Sequence, residues 1–348
     1  MNSGGELAAA AAERLFADLA TPAIARAAEQ GQWPSRLWQA VQDAGFGNAL
    51  EADSGVSLSE ALAIMRAAGR HAAPIPLAET MLARALAAGA GLMPPDGPLT
   101  IGVTGKPGSL SVENRLLSGG LTRVPFARHV KAVAAVARSG DQAVIVLVSV
   151  EVARLVPGRN LAGEPRDDLG FEKSELLAGG FAMAPRGTDE AWLLRMAALL
   201  RGAQMVGAME AALAMSVRYA NERSQFGRPI GRFQAIQHQL AALGGEVAAS
   251  AAMIDAAAEA VSVEAMHAPR AVAAAKARVS EAAGHAATIA HRVHGAIGFT
   301  QEYAVQGLTR RLLSWRDEFG AEADWQRHLG RDILRPEAGA VWPLLSAP

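Results

Sequence analysis

The chain has 348 residues, no cysteine, and 33 basic against 34 acidic residues, for a formal net charge of −1. That balance leaves no basic surplus to neutralise a phosphate backbone, which argues against nucleic acid as a partner. The absence of cysteine excludes disulfides, thiolate metal sites and a cysteine nucleophile. Hydrophobic residues make up 51% of the chain but aromatics only 5%. Alanine, roughly a fifth of the residues, fills the gap and favours closely approaching helices.

The first stretch, to about Gly91, reads as helical. Leu7, Leu15, Leu19 and Ile24, then Leu37, Val41, Leu58, Leu62 and Met65, fall near helical spacing, with Pro22, Pro34, Pro74 and Pro76 as punctuation. The start carries Glu6, Glu13 and Asp18, unlike a secretory leader. No apolar run reaches about 18 residues, so no membrane span is expected, and the expected setting is cytoplasmic. Pro74–Thr80 suits an extended link into a further helix with Glu79 in its first turn.

GLMPPDGP (Gly91–Pro98) marks a boundary by its turn residues. The runs that follow, LTIGV, SLSVENRLL, HVKAVAAVA, QAVIVLVSV and ARLVP, are β-branched or alternating and read as strands of a compact β-domain from about Pro98 to Gly180. Gln142–Val150 is nearly all apolar, as a central strand is.

The helical signal returns at Thr188, a plausible N-cap with Asp189 and Glu190 in the first turn, and runs to about Tyr219. After the turn NERSQFGRPIGR, a second helix carries Ile236, Leu240, Leu243, Val247 and Ile254, with Pro269 expected to end it. A third shows Val272, Val279, Ala286 and Val293. A fourth carries Val305, Leu308, Leu312, Trp315 and Phe319. The expected fold class is α+β, mostly α: a helical domain over 1–95, a small β-domain over 96–182 and a four-helix bundle over 183–340.

Familiar catalytic signatures are absent: there is no G-x-S-x-G, H-E-x-x-H, Walker loop or G-x-G-x-x-G. His291 and His294, with His285 before them, share no carboxylate at ligand spacing, so no metal site is expected. Two segments stand out. In Tyr219–Ala241, Arg223, Arg228 and Arg232 cluster near a helix start; this is either an anion site or a solvated basic turn. In His291–Tyr303, Gly295 and Gly298 stand at a helix end, where a backbone can approach a ligand or simply cap the helix.

The first segment resembles the R-x-x-F-G…F-Q-x-x-Q-x-x-L-A signature of acyl-CoA dehydrogenases at Arg223, Gln225, Phe226, Gly227, Phe233, Gln234, Gln237, Leu240 and Ala241. The second resembles that family's Q-x-x-G-G-x-G-F segment at His294, Gly295, Gly298 and Phe299. The order of helical, β and helical parts also agrees, so the resemblance covers nearly the whole chain. It implies FAD as cofactor and α,β-desaturation of an acyl-CoA thioester. A carboxylate takes the α-proton, the flavin takes a hydride, and an electron-transfer flavoprotein reoxidises it. It further implies that Arg223 and Gln225 bind the pyrophosphate, that Phe226 packs on the cofactor, that Gln234 belongs to the cofactor-binding set, and that Gly295 and Gly298 face the adenosine half. In the family these segments act across a subunit interface, on FAD seated mainly in a neighbour.

The chain departs from the family at the base. Aligning Leu308–Arg311 puts Phe319, before Gly320, where one common family position has glutamate; Glu318 is adjacent and is the available candidate. The other family position falls on Ala197, beside Ala198. The flavin and substrate loop survives only as VTGKPGSL (Val103–Leu110), without acids, and Arg292 replaces the usual glutamine. Three readings follow: a subunit of a heteromeric acyl-CoA dehydrogenase that completes the FAD site in trans; a self-sufficient homo-oligomer using Glu318; or a non-catalytic helical scaffold.

Overall fold

The computed structural model describes residues 3–104 and 109–334. Gly105–Gly108, the centre of the VTGKPGSL segment, lies outside the described residues. The N-terminal part consists of α1 (Ser3–Leu19), α2 (Pro22–Glu29), α3 (Ser35–Asp43), α4 (Leu58–Arg70) and α5 (Leu77–Gly89). Ser57 and Glu60 cap α4 reciprocally, so two amides at its start are satisfied locally. Glu79 stands in the first turn of α5 as the sequence suggests, but it is buried.

The strands are β1 (Leu99–Gly102), β2 (Leu110–Glu113), β3 (Leu116–Pro125), β4 (Ala132–Ser139), β5 (Gln142–Ser149), β6 (Arg154–Val156), β7 (Arg166–Glu175) and β8 (Phe181–Met183). They form one sheet in the order β6-β7-β3-β2-β4-β5-β8, with β1 also pairing β4 in parallel. Along β4, Ala132, Ala134 and Val136 face the main core, whereas Val133, Ala135 and Ala137 face a second core inside the β-domain. Ile145 and Leu147 of β5 divide from Val144, Val146 and Val148 in the same way. Burial on both faces explains why these strands read as almost continuous apolar runs. β7, with the sequence RDDLGFEKSE, is missing from the strand runs read in the sequence, because Leu169 and Phe171 are its only large apolar residues and six of its ten residues are charged. β8 is equally short of signal.

The C-terminal part contains α6 (Glu190–Glu222), α7 (Gln234–Ser262), α8 (Ala268–His294), α9 (Val305–Trp315) and α10 (Glu322–Ile333). Three sequence expectations are corrected here. Asp189 and not Thr188 caps α6, accepting from the Trp192 amide at 2.7 Å. Pro269 does not end α7 but stands in the first turn of α8, where its missing N–H costs nothing. The fourth helix stops at Trp315, and Phe319 lies beyond it with φ +54°. The 29-residue α7 is, by length and composition alone, apolar enough to cross a bilayer, unlike the expectation from unbroken runs. Glu246 and Asp255 interrupt its sequence, and Leu243, Val247 and Ile254 are buried in the bundle.

α4 crosses α6 backbone to backbone. A Cβ on Gly69 would lie 1.9 Å from the Gln204 carbonyl oxygen, and one on Gly207 would lie 1.9 Å from that of Arg66. The α5–β1 junction is closed by Thr80, whose Oγ1 donates to the Leu99 carbonyl at 2.9 Å and accepts from its amide at 3.1 Å. A single core therefore joins the N-terminal helices, one face of the sheet and the bundle.

Candidate functional site

Between α6 and α7 the chain makes a minimal hairpin. β9 (Ser224–Gln225) pairs with β10 (Arg228–Pro229). The two turn residues, Phe226 and Gly227, both have positive φ, +51° and +77°. A two-residue hairpin of this hand requires such a conformation at both positions; glycine adopts it freely and phenylalanine does not. The strained residue carries the ring at the tip, 92% exposed. Phe233 meets it edge-on at 6.2 Å, and the Arg228 guanidinium lies 4.3 Å over the Phe233 ring. Arg223, Gln225 and Gln234 are exposed around it. Neither Arg223 nor Arg228 has a carboxylate partner among the described residues.

The glycine segment closes the same end of the bundle. Gly295 ends α8 with φ +63° and open space where a Cβ would stand. Gly298 is buried, and a Cβ there would meet the His294 Cβ at 2.9 Å. Its glycine is therefore a packing requirement. His294 stacks on Tyr219 at 4.7 Å, and Ile230 packs with Val293, so the hairpin and the glycine segment form one surface. Burial lowers the proton affinity of His291 and His294. His291 pairs with Thr309 and His294 with the Ala290 carbonyl. Among the described residues no group of three or more potential metal ligands occurs.

Glu318 lies elsewhere, past the C-terminal end of α9, which spans about 16 Å at 1.5 Å per residue. It lines a cleft of about 490 Å³ between β1, β3, the turn after α9 and α10. Its carboxylate is fully engaged. Oε1 accepts from Arg166 Nε at 2.8 Å and Asn160 Nδ2 at 3.1 Å; Oε2 accepts from Arg166 Nη2 at 3.0 Å and faces Arg201 Nε at 3.2 Å. Burial alone would raise its proton affinity, but Arg166 and Arg201 outweigh that and hold the carboxyl below the usual range. Glu164 accepts from Arg166 Nη2 at 3.0 Å and Trp315 Nε1 at 2.9 Å, and faces Arg311. Arg201 also binds Glu79 and Gln204. Three buried carboxylates thus balance three buried guanidiniums. None of Arg166, Glu164, Arg201 or Arg311 was visible as a site residue in the sequence.

The Phe319–Gly320 turn, beside the expected base, is held by hydrogen bonds to its carbonyls. Buried Lys276 donates from Nζ to the carbonyls of Arg316 at 2.8 Å and Gly320 at 3.0 Å, and to Ser280 Oγ at 2.9 Å. Trp325 Nε1 donates to the Phe319 carbonyl at 3.2 Å. The Phe319 ring faces the Arg201 guanidinium at 5.5 Å. Ala197 is packed in the main core, and Ala198 packs with Ala273, Ala277 and Trp325. The hairpin and glycine residues therefore come together on one outward surface, and Glu318 stays apart from them in a closed ionic cluster.

Residues 190–327 match the family described as acyl-CoA dehydrogenase, C-terminal domain. The acyl-CoA dehydrogenase IpdE2 of Mycobacterium tuberculosis is 42% identical over 109 residues, 31% of this chain and 32% of that protein. IpdE2 of Mycolicibacterium smegmatis is 32% identical over 148 residues, 42% of this chain and 45% of that protein. These alignments span less than half of either relative. The acyl-CoA dehydrogenase FadE27 of Mycobacterium tuberculosis is 27% identical over 87% of this chain and 89% of that protein. A chain of the ChsE4-ChsE5 complex from Mycobacterium tuberculosis superposes with a TM-score of 0.86 at 22% identity, over 96% of this chain and 98% of that one. A chain of the Tcur3481-Tcur3483 steroid ACAD G363A variant gives 0.86 at 23% identity, over 97% and 99%. At these identities the two structures show the fold.

Proposed function

We infer that this chain, whose fold is that of the acyl-CoA dehydrogenases and whose residues 190–327 match their C-terminal domain, is one subunit of a heteromeric FAD-dependent acyl-CoA dehydrogenase. The observation that carries this reading is the outward-facing hairpin. It offers two guanidiniums with no carboxylate partner among the described residues beside an aromatic ring 92% exposed, and none of its residues lines the cleft at Glu318. That donor set fits the pyrophosphate and ring system of a dinucleotide held by another chain. Arg223 and Gln225 bind the pyrophosphate, Phe226 packs on the cofactor, Gln234 completes the polar rim, and open Gly295, on a segment that buried Gly298 lets pack tightly, faces the adenosine half. When bound, FAD supplies the hydride acceptor for α,β-desaturation of an acyl-CoA thioester.

Abstraction of the α-proton needs a carboxylate with a free oxygen near the substrate. Glu318 offers none, since both its oxygens are held by guanidinium and amide donors. The base in this reading comes from the homologous partner, whose cleft also seats the thioester. The remaining partners are the acyl-CoA substrate and an electron-transfer flavoprotein, in a cytoplasmic setting. The complex ChsE4-ChsE5 supports an unlike pair, and the steroid ACAD supports a bulky acyl group.

The test is to express the chain alone and together with the neighbouring homologous reading frame. Stoichiometric flavin and acyl-CoA oxidation only in the joint preparation are expected. Full activity from the chain alone would establish the self-sufficient enzyme with Glu318 as base. Absence of flavin in both preparations would leave a scaffold.

A further inference from the structure

Three aromatic rings meet at the end of the bundle that carries the hairpin. His294, the last residue of α8, is 3% exposed and stacks on Tyr219 at 4.7 Å. Tyr303, just before α9, lies 4.9 Å from His294 and meets Tyr219 edge-on at 6.0 Å. Tyr219 stands in the last turn of α6, and its carbonyl accepts from the Arg223 amide, where the hairpin begins, at 2.8 Å. The returning strand comes back to the same place. The Ile230 amide donates to the Arg223 carbonyl at 2.8 Å, and the Ile230 side chain packs on Val293, the neighbour of His294. Both ends of the hairpin are therefore seated on the last turn of α8.

The protonation state of His294 follows from its contacts. The Ala290 carbonyl, 2.8 Å from Nδ1, can only accept, so Nδ1 carries the proton of the neutral ring. Nε2 is then bare, buried and without a hydrogen-bond partner. A second proton there would put a charge inside the ring stack, with no carboxylate paired to it among the described residues. Burial accordingly lowers the proton affinity of His294, and the carbonyls of Ala290 and Met215 offset only part of that. The other titratable and charged groups around the stack are Tyr219 on α6, Arg218 and Glu222 beside Tyr303, and His291 one turn back on α8.

We propose that His294 is a positioning residue for the hairpin: as the neutral ring it keeps the Tyr219 stack closed, and on protonation it releases the stack and the hairpin with it. An open stack exposes the imidazole to water, where it takes up its proton at about pH 6.5, so acid favours the open form. The consequence for the cofactor rests on the proposed trans site: the joint preparation should lose flavin as the pH falls.

Hydrogen exchange of the hairpin amides tests this on the full chain alone, without flavin or partner. Corrected for the intrinsic rate, exchange should be several-fold faster at about pH 5.5 than at about pH 7.5. His294→Phe keeps a ring in the stack but cannot titrate, so its corrected rate should stay slow and flat across that range. His294→Ala removes the ring and should exchange fast at both ends. His291→Phe should keep the wild-type profile. A flat wild-type profile, a steep one in His294→Phe, slow exchange in His294→Ala, or loss of the profile in His291→Phe would each overturn the proposal. Flavin retention by the joint preparation is the second readout, falling with pH in the wild type and not in His294→Phe. Flavin held equally at both ends by the wild type would overturn the link to the cofactor. Flavin missing at every pH, with the exchange profile as expected, would remove the trans site and leave the role of His294 standing.

Discussion

Arg166 and Glu318 meet in a two-point ion pair, Nε to Oε1 at 2.8 Å and Nη2 to Oε2 at 3.0 Å, although 152 positions separate them in the chain. Arg166 opens β7 and Glu318 follows α9, so the pair bolts the β-domain to the bundle at the floor of the cleft. Both residues are buried. Breaking such a pair from one side leaves the other charge uncompensated.

Glu318→Gln should therefore lower folding stability by about 3 kcal/mol and leave the turnover of the assembled enzyme within a few-fold of wild type. Chemical denaturation and acyl-CoA oxidation by the joint preparation measure the two effects. Unchanged stability with lost turnover would instead mark Glu318 as the base.

The same cluster makes the fold sensitive to acid. Burial raises the Glu164 carboxyl, but Arg166, Arg311 and Arg201 outweigh it and hold the group at about 2 instead of 4.5. Between those values the unfolded chain binds more protons than the folded one. The contribution of Glu164 is thus complete above about pH 4.5 and lost as the pH falls towards about 2. It amounts to on the order of 3 kcal/mol. Urea midpoints should fall across this interval, and Glu164→Gln should flatten the fall. An equally steep fall in the variant would remove Glu164 from the account.

Lys276 acts on the other side of neutrality. Burial lowers its ammonium to about 7 from 10.5. Here too the unfolded chain holds the extra proton, so stability rises with pH from about 7 to about 10.5. Lys276→Met should abolish that rise in denaturation curves. It should also loosen the Phe319–Gly320 turn, whose carbonyls Lys276 holds.

Gly→Ala in a helix usually gains roughly 0.5–1 kcal/mol. At Gly207 the sign should reverse. The added methyl would lie 1.9 Å from the Arg66 carbonyl oxygen, which is backbone and cannot swing away. A loss above about 2 kcal/mol is expected, as for other overpacked cores. A neutral result would mean that α4 and α6 separate easily.

Much of this architecture was legible locally. Periodic apolar residues announce α7 to α9, the acids at its start announce α6, and nearly continuous apolar runs announce β4 and β5. The NERSQFGRPIGR run announces a turn through Gly227, Pro229 and Gly231; that Phe226 also takes left-handed backbone in a two-residue loop is seen only in the structure. The buried ionic cluster was not legible, because Glu79, Glu164, Arg166, Arg201, Arg311 and Glu318 are scattered along the chain and each looks like an ordinary surface charge. Pairing of that kind exists only after the β-domain docks. Helix ends differ for a local reason: Thr188 and Asp189 are both good N-caps and Asp189 takes the role, and a proline that would break a helix interior suits the first turn, where Pro269 stands.

Arg223 offers the sharpest test of the trans-site reading. It caps α6 through its amide, which donates to the Tyr219 carbonyl at 2.8 Å, and its carbonyl accepts from Ile230 at 2.8 Å. Both are backbone bonds and survive truncation of the side chain. The exposed guanidinium has no carboxylate partner among the described residues, so Arg223→Ala should change stability by no more than about 0.5 kcal/mol. A charge-assisted contact to a pyrophosphate is worth about 1.5–3 kcal/mol, equivalent to a roughly tenfold to hundredfold weaker hold on the cofactor. Flavin absorbance of the joint preparation after gel filtration should fall accordingly, with the complex still assembled and its melting in the absence of flavin unchanged. Arg223→Lys keeps a charge but loses the fork, and should retain an intermediate amount. If flavin content is the same in all three proteins, the hairpin does not reach the cofactor.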